Sequence, residues 1–504
     1  MADSITDPLL LALNATLTIA SRAVSAVPGS SIAIKYIKAS HQNDPYRTLL
    51  EAALVAFMVW YYVGTKHKPG SSDVKLTEKE IQELIDEWEP EPLVQPLTDF
   101  QQSELEKLPV IIGSVGGKPK FADGKERLNL ASYNFLGLMN QEFVKEKAVE
   151  ALRTYGVGTC GPRGFYGTID VHMQLEEQIA KFIGSPAAVL YSQGFSTIAS
   201  VIPAFAKRGD ILVADDGVGF AIQKGLQISR SRVKYFKHND MEDLERVLES
   251  LRVESLKAKQ SPARRFIVTE GLFANSGDIC PLPKLLEMRN KYKFRLILDE
   301  SFSIGVLGKR GAGVTDHFGV PATNVDMIVG SIANAFGSAG GFCCGSEEVV
   351  ELQRLGGQAY CFSASLPAML TVAAAEAIRA LQADTEVLTQ LRENIDVLRD
   401  VLLRSGAGLP VIFDGAPQAP FVHVRLATPL ADREEEERAL QEVVDEAARN
   451  GVLLTRAKYV WSEELNPPRP SIRITVSAAL SKKETEKAAT VVKEAIKKVL
   501  KARK

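Results

Sequence analysis

The chain has 504 residues, which is enough for two or three packed units. Its 45% apolar and 24% charged residues are ordinary for a globular protein, and a net charge of −2 disfavours a nucleic-acid-binding surface. The five cysteines are scattered without a CxxC spacing, which disfavours a disulfide framework or a metal site and favours a reducing compartment.

The N-terminal region is interpreted as two membrane-related segments. Residues 1–48 have amphipathic character suited to a membrane surface, and the apolar run LLEAALVAFMVWYYVGT at residues 49–65 is predicted to be a transmembrane helix. A helix of that length reaches about 25 Å, and three aromatic residues from Trp60 onward resemble an interfacial belt. The alternative is a buried or re-entrant helix. Basic residues flank both ends of the run, so charge leaves the membrane orientation open.

Residues 66–107 are predicted to hold an amphipathic helix and a proline-rich connector. Thr77 and Glu80 have the spacing of a capping box, which marks the start of a helix. Three prolines then end the helix. The apolar residues recur at helical spacing, at Ile81, Leu84, Ile85 and Trp88.

The rest of the chain is predicted to form a large domain over 108–385 and a small C-terminal α+β domain over 386–504. In the large domain continuous apolar strands alternate with helical stretches, which indicates a mostly parallel sheet covered on both faces. The predicted strands of the large domain are Ala188–Tyr191, Ile211–Ala214, Phe266–Thr269, Arg295–Leu298, Met327–Val329 and Gly341–Cys344. One long helical stretch, Ala368–Leu403, leads into the small domain.

A glycine-rich segment at residues 156–168 is the first candidate for function. GVGTCG matches G-x-G-x-x-G, but a helical stretch precedes it and Pro162 follows, whereas a dinucleotide site needs a strand before and a helix after. The glycines instead indicate a loop that allows close backbone approach. Arg163, Phe165 and Tyr166 are its projecting side chains.

Two aspartates end predicted strands, where ligand groups project from parallel sheets. Asp215 ends ILVAD and Asp299 ends RLILD. A carboxylate there can keep the pyridine nitrogen of pyridoxal phosphate protonated. Spacing alone supports equally well a carboxylate that caps the next helix. His172 could stack on a flat cofactor ring, although a single helical histidine is usually structural.

Eight stretches between residue 129 and about residue 480 together carry a resemblance to a known family. They are NLASYNFLGL (129–138), GVGTCGPRGFYGT (156–168), DVHMQLE (170–176), YFKHNDMEDLE (235–245), EGLFANSGDICPL (270–282), LDESFSIGVLGKRG (298–311), SIANAFGSAGGF (331–342) and FSASLP (362–367). With them the sequence resembles the α-oxoamine synthase family, fold-type I pyridoxal-phosphate enzymes that condense an amino acid with an acyl-CoA. The resemblance implies an aspartate-aminotransferase-like α/β fold.

The departures from the family pattern concern its chemistry. Asn334 stands where active members carry the Schiff-base lysine, and an amide is not a usable amine nucleophile. Phe302 and Gly219 replace polar pocket residues, while Asp299 and His172 remain. The resemblance therefore implies a degenerate pocket with no catalytic residue and no cofactor of its own.

This combination resembles the non-catalytic long-chain-base subunits within the family, which belong to serine palmitoyltransferases. The resemblance implies a heterodimer whose lysine-bearing partner binds pyridoxal 5′-phosphate covalently. That complex condenses L-serine with palmitoyl-CoA to 3-ketodihydrosphingosine, the first step of sphingolipid synthesis. Small activating subunits and Orm-family regulators are implied as further partners, and the implied location is the endoplasmic reticulum membrane with the main body facing the cytosol.

The glycine-rich loop is then expected to face the partner's site. Its expected interface residues are Cys160, Gly161, Arg163, Phe165, Tyr166 and Thr168. Two alternatives stay open, a self-sufficient homodimeric synthase and a purely regulatory scaffold. Asn334 disfavours the first, and the retained loop disfavours the second.

Overall fold

The computed structural model describes residues 30–64, 76–90, 92–258, 263–404 and 408–501. Much of the predicted segment 1–48 and the start of 66–107 therefore lie outside the described residues. The chain divides into two compact units, Met1–Pro96 and Leu97–Lys504. The predicted boundaries at 107/108 and 385/386 stay predictions.

The first unit contains three described helices, α1 (Ser30–Asn43), α2 (Pro45–Gly64) and α3 (Glu78–Glu87). The capping box predicted at the start of α3 is present. The Thr77 hydroxyl accepts a hydrogen bond from the Glu80 amide at 3.3 Å, and the Glu80 carboxylate accepts one from the Thr77 amide at 2.7 Å. These two reciprocal bonds satisfy amides that the first turn of the helix leaves free.

The predicted transmembrane helix over residues 49–65 is not found. Residues 49–64 lie in α2, but none of the helices in the described ranges combines the length and the apolar content that a bilayer crossing requires. The physical reason lies at both ends of α2. Arg47 and Glu51 form a 3.0 Å ion pair in its first two turns, and the aromatic residues Trp60 to Tyr62 contribute polar atoms near its end.

Within the described residues, the second unit contains a large seven-stranded sheet, a small four-stranded sheet and two two-stranded sheets. The strands are β1 (Ile111–Ile112), β2 (Lys120–Phe121), β3 (Leu128–Asn129), β4 (Ala187–Tyr191), β5 (Ile211–Asp215), β6 (Arg232–Phe236), β7 (Arg265–Glu270), β8 (Arg295–Asp299), β9 (Met327–Ser331), β10 (Gly341–Gly345), β11 (Val411–Asp414), β12 (Phe421–Leu426), β13 (Val452–Leu453), β14 (Thr455–Arg456) and β15 (Ile472–Thr475). The two-stranded sheets are β1-β2 and β13-β3.

Helices connect these strands and cover the large sheet. They are α4 (Asp99–Glu106), α5 (Glu142–Tyr155), α6 (Asp170–Ile183), α7 (Gly194–Phe205), α8 (Phe220–Ser229), α9 (Met241–Ala258), α10 (Leu282–Tyr292), α11 (Val314–Phe318), α12 (Glu347–Gly356), α13 (Gln358–Cys361), α14 (Ala368–Ala383), α15 (Glu386–Arg399), α16 (Arg433–Arg449) and α17 (Lys482–Lys501). The long stretch predicted over 368–403 is thus two helices, interrupted at Asp384, followed by a π-helical turn at Asp400–Arg404.

The large sheet has the order β4-β10-β9-β8-β7-β5-β6. Strands β9, β8, β7, β5 and β6 run parallel, and β10 is antiparallel to both β4 and β9. The predicted mostly parallel sheet of an aminotransferase-like α/β fold is therefore confirmed. Because β8, β7 and β5 are parallel neighbours, their carboxyl ends meet at one edge of the sheet, where ligand groups gather in such folds.

The small sheet is antiparallel, in the order β11-β12-β15-β14. Beside it, β3 pairs in parallel with β13, so Leu128 lies opposite Val452. The amide of Leu128 donates to the carbonyl of Gly451 at 2.9 Å, and the amide of Leu130 donates to that of Leu453 at 3.0 Å. These bonds join the beginning of the second unit to its C-terminal part.

Candidate functional site

Three acidic side chains end neighbouring strands at the carboxyl edge of the large sheet. Asp215 and Asp299 were predicted there, and the structure adds Glu270 between them, directly opposite Asp299 in the β7–β8 register. All three are buried. Glu270 directly follows the strand predicted at 266–269 and ends the observed β7, so the rule that found the two aspartates could also have found this residue.

Asp299 is the acid that best fits a ligand-facing role. Its Oδ1 accepts a 2.8 Å hydrogen bond from the Ser301 amide, and in the described ranges no lysine, arginine or histidine forms an ion pair with it. Burial raises the pKa of the Asp299 carboxyl. A buried carboxyl without a counter-charge is suited to a protonated ring nitrogen or to another hydrogen-bond donor.

Asp215 has a structural environment instead. Its Oδ1 lies 2.9 Å from Nδ1 of His238, and its two oxygens accept hydrogen bonds from the amides of Gly217 and Asn239, each at 2.8 Å. The other ring nitrogen of His238 lies 3.1 Å from Asp278. Burial lowers the pKa of His238, but the two carboxylates outweigh this effect and raise it to about 10. Asp215 therefore fixes a charged histidine beside the site.

Glu270 ties two loops together at the same edge. Its Oε1 accepts from the Gly219 amide at 2.5 Å, and its Oε2 accepts from the Ala274 amide at 2.9 Å. Burial first, and then the nearby Asp299 charge, raise the pKa of Glu270 to about 8. Gly219, one of the predicted pocket positions, thus contributes its backbone amide, and it also begins α8 as its N-cap.

A fourth buried acid, Glu300, follows Asp299. Its carboxylate accepts from the Val314 amide at 2.9 and 3.0 Å and from the Ser303 hydroxyl. Burial raises the pKa of Glu300 to about 7. Sequence spacing gave no signal for this residue, because its partner amide lies fourteen residues further along the chain.

Asn334 lies beside the turn that follows β8. Its side-chain Nδ2 donates a 2.8 Å hydrogen bond to the Ser301 carbonyl, and its backbone carbonyl accepts from the Phe135 amide at 3.3 Å. The structure therefore brings the predicted pocket residues Asn334, Asp299 and Phe302 to one place. The Asn334 amide is engaged in holding the turn.

Phe302 belongs to an aromatic cluster rather than to a polar pocket. Its ring meets Tyr133 edge-on at 5.0 Å between centroids and Phe421 at 5.8 Å. The Arg473 guanidinium lies 3.9 Å from the centre of the Tyr133 ring, and burial raises the pKa of Tyr133. Sequence reasoning missed Tyr133, Phe421 and Arg473, which come from segments up to 340 residues apart.

His172 is fully buried and has a structural role. Its Nε2 hydrogen-bonds the Leu366 carbonyl at 2.6 Å, and its Nδ1 accepts from the Ile169 amide at 3.3 Å. Burial lowers the pKa of His172. Both ring nitrogens are therefore used to fix the start of α6 against the segment before α14.

The base of the glycine-rich loop is held by a buried ion pair. Arg163 binds Glu176 through both terminal nitrogens, at 2.8 and 3.0 Å, and the two side chains are only 4% and 8% exposed. Glu176 also accepts from the Leu190 amide at 2.9 Å. Arg163 Nε donates to the Thr168 hydroxyl at 3.1 Å, which joins the two residues that flank the segment 164–167.

Close backbone contacts and left-handed residues shape the rest of the loop. A Cβ on Gly167 would lie 1.9 Å from the Gly161 carbonyl oxygen, so only glycine fits there. Cys160 and Tyr166 have φ of 58° and 65°, which is uncommon for residues with a side chain. Phe165 is 65% exposed and Tyr166 is fully exposed. The loop is thus a fixed element that presents two aromatic rings outward.

The described pocket residues do not fit pyridoxal phosphate as a covalently held cofactor of this chain. Asn334 has no amine, and its amide already bonds the Ser301 carbonyl. Phe302 offers only carbon atoms and packs into the aromatic cluster. Asp299 alone keeps a suitable group, a buried carboxyl. No chemical step through that cofactor is therefore derived for this pocket.

Comparison with known proteins places the chain among named relatives. A model described as aminotransferase class I and II matches residues 125–492. Serine palmitoyltransferase 1 of Dictyostelium discoideum is 45% identical over 88% of this chain and 92% of its own length, and that of Saccharomyces cerevisiae is 40% identical over 94% and 93%. The solved serine palmitoyltransferase of Sphingomonas wittichii is 25% identical, with a TM-score of 0.68 over 78% of this chain and 92% of that one. By its fold and by these relatives, the chain belongs to the serine palmitoyltransferase 1 family, a branch of the class I and II aminotransferases.

Proposed function

We propose that the chain is the non-catalytic but required subunit of a heteromeric serine palmitoyltransferase. The complex condenses L-serine with palmitoyl-CoA to 3-ketodihydrosphingosine, and the partner subunit supplies the lysine that binds pyridoxal 5′-phosphate covalently. The observation that carries this proposal is Asn334, whose amide bonds the Ser301 carbonyl at the carboxyl edge of the sheet. An amide cannot form an imine with an aldehyde.

Absorbance and activity of the purified subunits test the proposal. The isolated chain, incubated with pyridoxal phosphate, dialysed free of it and only then reduced with borohydride, is expected to keep no cofactor and to condense nothing. Together with a lysine-bearing homologue it is expected to restore ketone formation above the level of the homologue alone. Cofactor trapped on any lysine of the pure chain, or full activity of the homologue by itself, contradicts the proposal.

The glycine-rich loop supports a place for this chain at the partner's active site. The Arg163–Glu176 pair fixes the loop, and Phe165 and Tyr166 stand exposed at its tip. Tyr166 destabilises the isolated chain in two ways: its backbone is held in the left-handed region, and its aromatic ring is exposed to water. A partner surface that receives the ring removes the exposure. The interface residues Cys160, Gly161 and Thr168 shape the backbone around it.

Substitution separates a role in catalysis from a role in assembly. Tyr166→Ala removes an exposed ring without disturbing the buried base of the loop, and it is expected to lower the turnover or serine preference of an intact heterodimer. Ile228→Ala, on α8 and 49% exposed, is the control that also removes an exposed apolar side chain. Intact kinetics with Tyr166→Ala, or loss of the heterodimer, contradicts the active-site role.

The location we propose is the endoplasmic reticulum membrane, with the main body in the cytosol. All five cysteines are free, which suits a reducing compartment. Palmitoyl-CoA and the long-chain product are amphiphiles that partition into membranes. Small activating subunits and Orm-family regulators complete the proposed assembly. Fractionation of cells that express the tagged chain tests the location, and recovery outside the reticulum contradicts it.

A further inference from the structure

Helix α3 has an exposed apolar face. Leu84, Ile85 and Trp88 are 53%, 58% and 70% exposed, and none of the residues of α3 is buried. With Ile81 these side chains lie along one stripe at the spacing of a helix of 3.6 residues per turn. On the other side of the helix, Gln82 donates to Asp86 at 2.9 Å and Lys79 lies 3.5 Å from Glu83.

The helix is too short to be stable without such a contact. It has ten residues, whereas isolated helices below about 12–15 residues are marginal in water. The capping box fixes its start, but helices of this length gain most of their stability from packing of an apolar face. The connector after it is also apolar and exposed, with Leu93 and Val94 held between Pro92 and Pro96.

The charges around the stripe identify the kind of surface that covers it. Between Thr77 and Glu89 there are six carboxylates and one lysine, a net charge of −5 in a chain whose total is −2. At 100° per residue, Glu80 and Glu87 lie along one edge of the stripe and Glu78 along the other. Helices that lie on membranes carry lysine and arginine at these positions, because the lipid surface is anionic. An acidic rim is repelled by such a surface and matches a protein groove edged by basic residues.

We propose that the segment Thr77–Leu97, here called the acidic arm, docks on the lysine-bearing partner subunit, in an apolar groove edged by lysine and arginine. This inference rests on the proposed function, because it takes its partner from there. The stripe of α3 enters the groove, and the acidic rims pair with its edges. The prolines keep the connector extended, which lowers the entropy lost when Leu93 and Val94 bind.

Two variants of the full-length chain, coexpressed with the lysine-bearing homologue, test the docking. The test variant, Leu84→Ala with Ile85→Ala, removes the centre of the stripe. The control variant, Gln82→Ala with Glu83→Ala, changes neighbouring residues on the opposite face. Alanine preserves the helix propensity of the segment in both variants. The stripe variant is expected to weaken heterodimer association at least ~10-fold, and the control to stay within about two-fold.

A benzophenone amino acid in place of Trp88 identifies what covers the stripe. Crosslinking to the homologue supports the inference, whereas crosslinking to lipid, to this chain's own body or to nothing overturns it. Equal association of the two alanine variants also overturns it. If the wild-type chain captures no homologue at all, the proposed function fails; if capture is normal and only the Trp88 crosslink goes elsewhere, only the acidic arm inference fails.

Discussion

Replacing Glu176 with glutamine should destabilise the chain more than any surface charge change on the same helix. The substitution keeps the shape of the side chain but removes the charge that faces the Arg163 guanidinium. Two hydrogen bonds of 2.8 and 3.0 Å are affected, and both side chains are less than 10% exposed. Removing one partner of a buried ion pair costs about 3–5 kcal/mol, because a buried charge is left uncompensated. Since glutamine keeps one acceptor oxygen, we expect about 3 kcal/mol.

The neighbouring residue provides a matched control. Glu177 also pairs with a basic residue of α6, Lys181, but the two side chains are 67% and 71% exposed. Exposed pairs contribute about 0–1 kcal/mol, so Glu177→Gln should have almost no effect. The assay is urea unfolding of the purified chain, followed by circular dichroism, with the midpoint compared between the two variants. Limited proteolysis between residues 158 and 168 should accelerate only in Glu176→Gln.

A double substitution separates lost charge from lost packing. Arg163→Met with Glu176→Leu replaces the ion pair by apolar side chains of similar length, and such replacements are often neutral or stabilising. The double variant should therefore recover part of the stability lost in Glu176→Gln, while the buried Leu190 amide, which also donates to Glu176, keeps the recovery incomplete. Equal midpoints for Glu176→Gln and Glu177→Gln would refute the reasoning, since they would show that the buried pair contributes no more than an exposed one.

Three further predictions follow from the site. His238→Gln should lower the free energy of unfolding by about 2–4 kcal/mol at pH 6, as measured by urea unfolding. Because the pKa of His238 in the folded chain is raised to about 10, the difference between wild type and variant should shrink as the pH rises from 6.5 through 10. Glu270 gives the same sign of pH dependence in a lower window: because its folded pKa is raised from 4.5 to about 8, the wild type should lose stability as the pH rises from 4.5 to 8, and Glu270→Gln should lack this loss. Asn334→Lys alone should give no ketone product without the partner, because Phe302 and Gly219 still offer no polar side chain; measurable product would show that the pocket lacks only its lysine.

The parallel core of the second unit was predictable because its strands are continuous apolar runs. β5 and β8 were predicted to within one residue of their observed ends. β6 was missed because it is an edge strand in which arginine and lysine alternate with apolar residues. The break at Asp384 was missed because no glycine or proline marks it in the sequence, and the residues before and after it both favour a helix.

The site was predictable only where it depends on strand ends. Asp299 and Asp215 are each the last residue of a strand, so the sequence does not distinguish them. In the structure only Asp215 pairs with a histidine, His238, which follows a different strand, β6. The aromatic cluster around Phe302 depends on Phe421 and on Tyr133, which no local pattern connects. The transmembrane prediction started the helix at residue 49 and treated the preceding basic residues as flanks, whereas Arg47 lies inside the same helix, α2.

The pairing of β3 with β13 has a consequence for synthesis on the ribosome. Residues 128–130 emerge early, but their hydrogen-bond partners, Gly451 and Leu453, are made more than 320 residues later. During that interval β3 has an unpaired edge, and the nearby Phe135 cannot yet pack on Phe421. Contacts between such distant segments form slowly and leave apolar surface open to aggregation. A nascent chain that stops before residue 450 should therefore remain bound to chaperones, even though every strand of its large sheet is already complete.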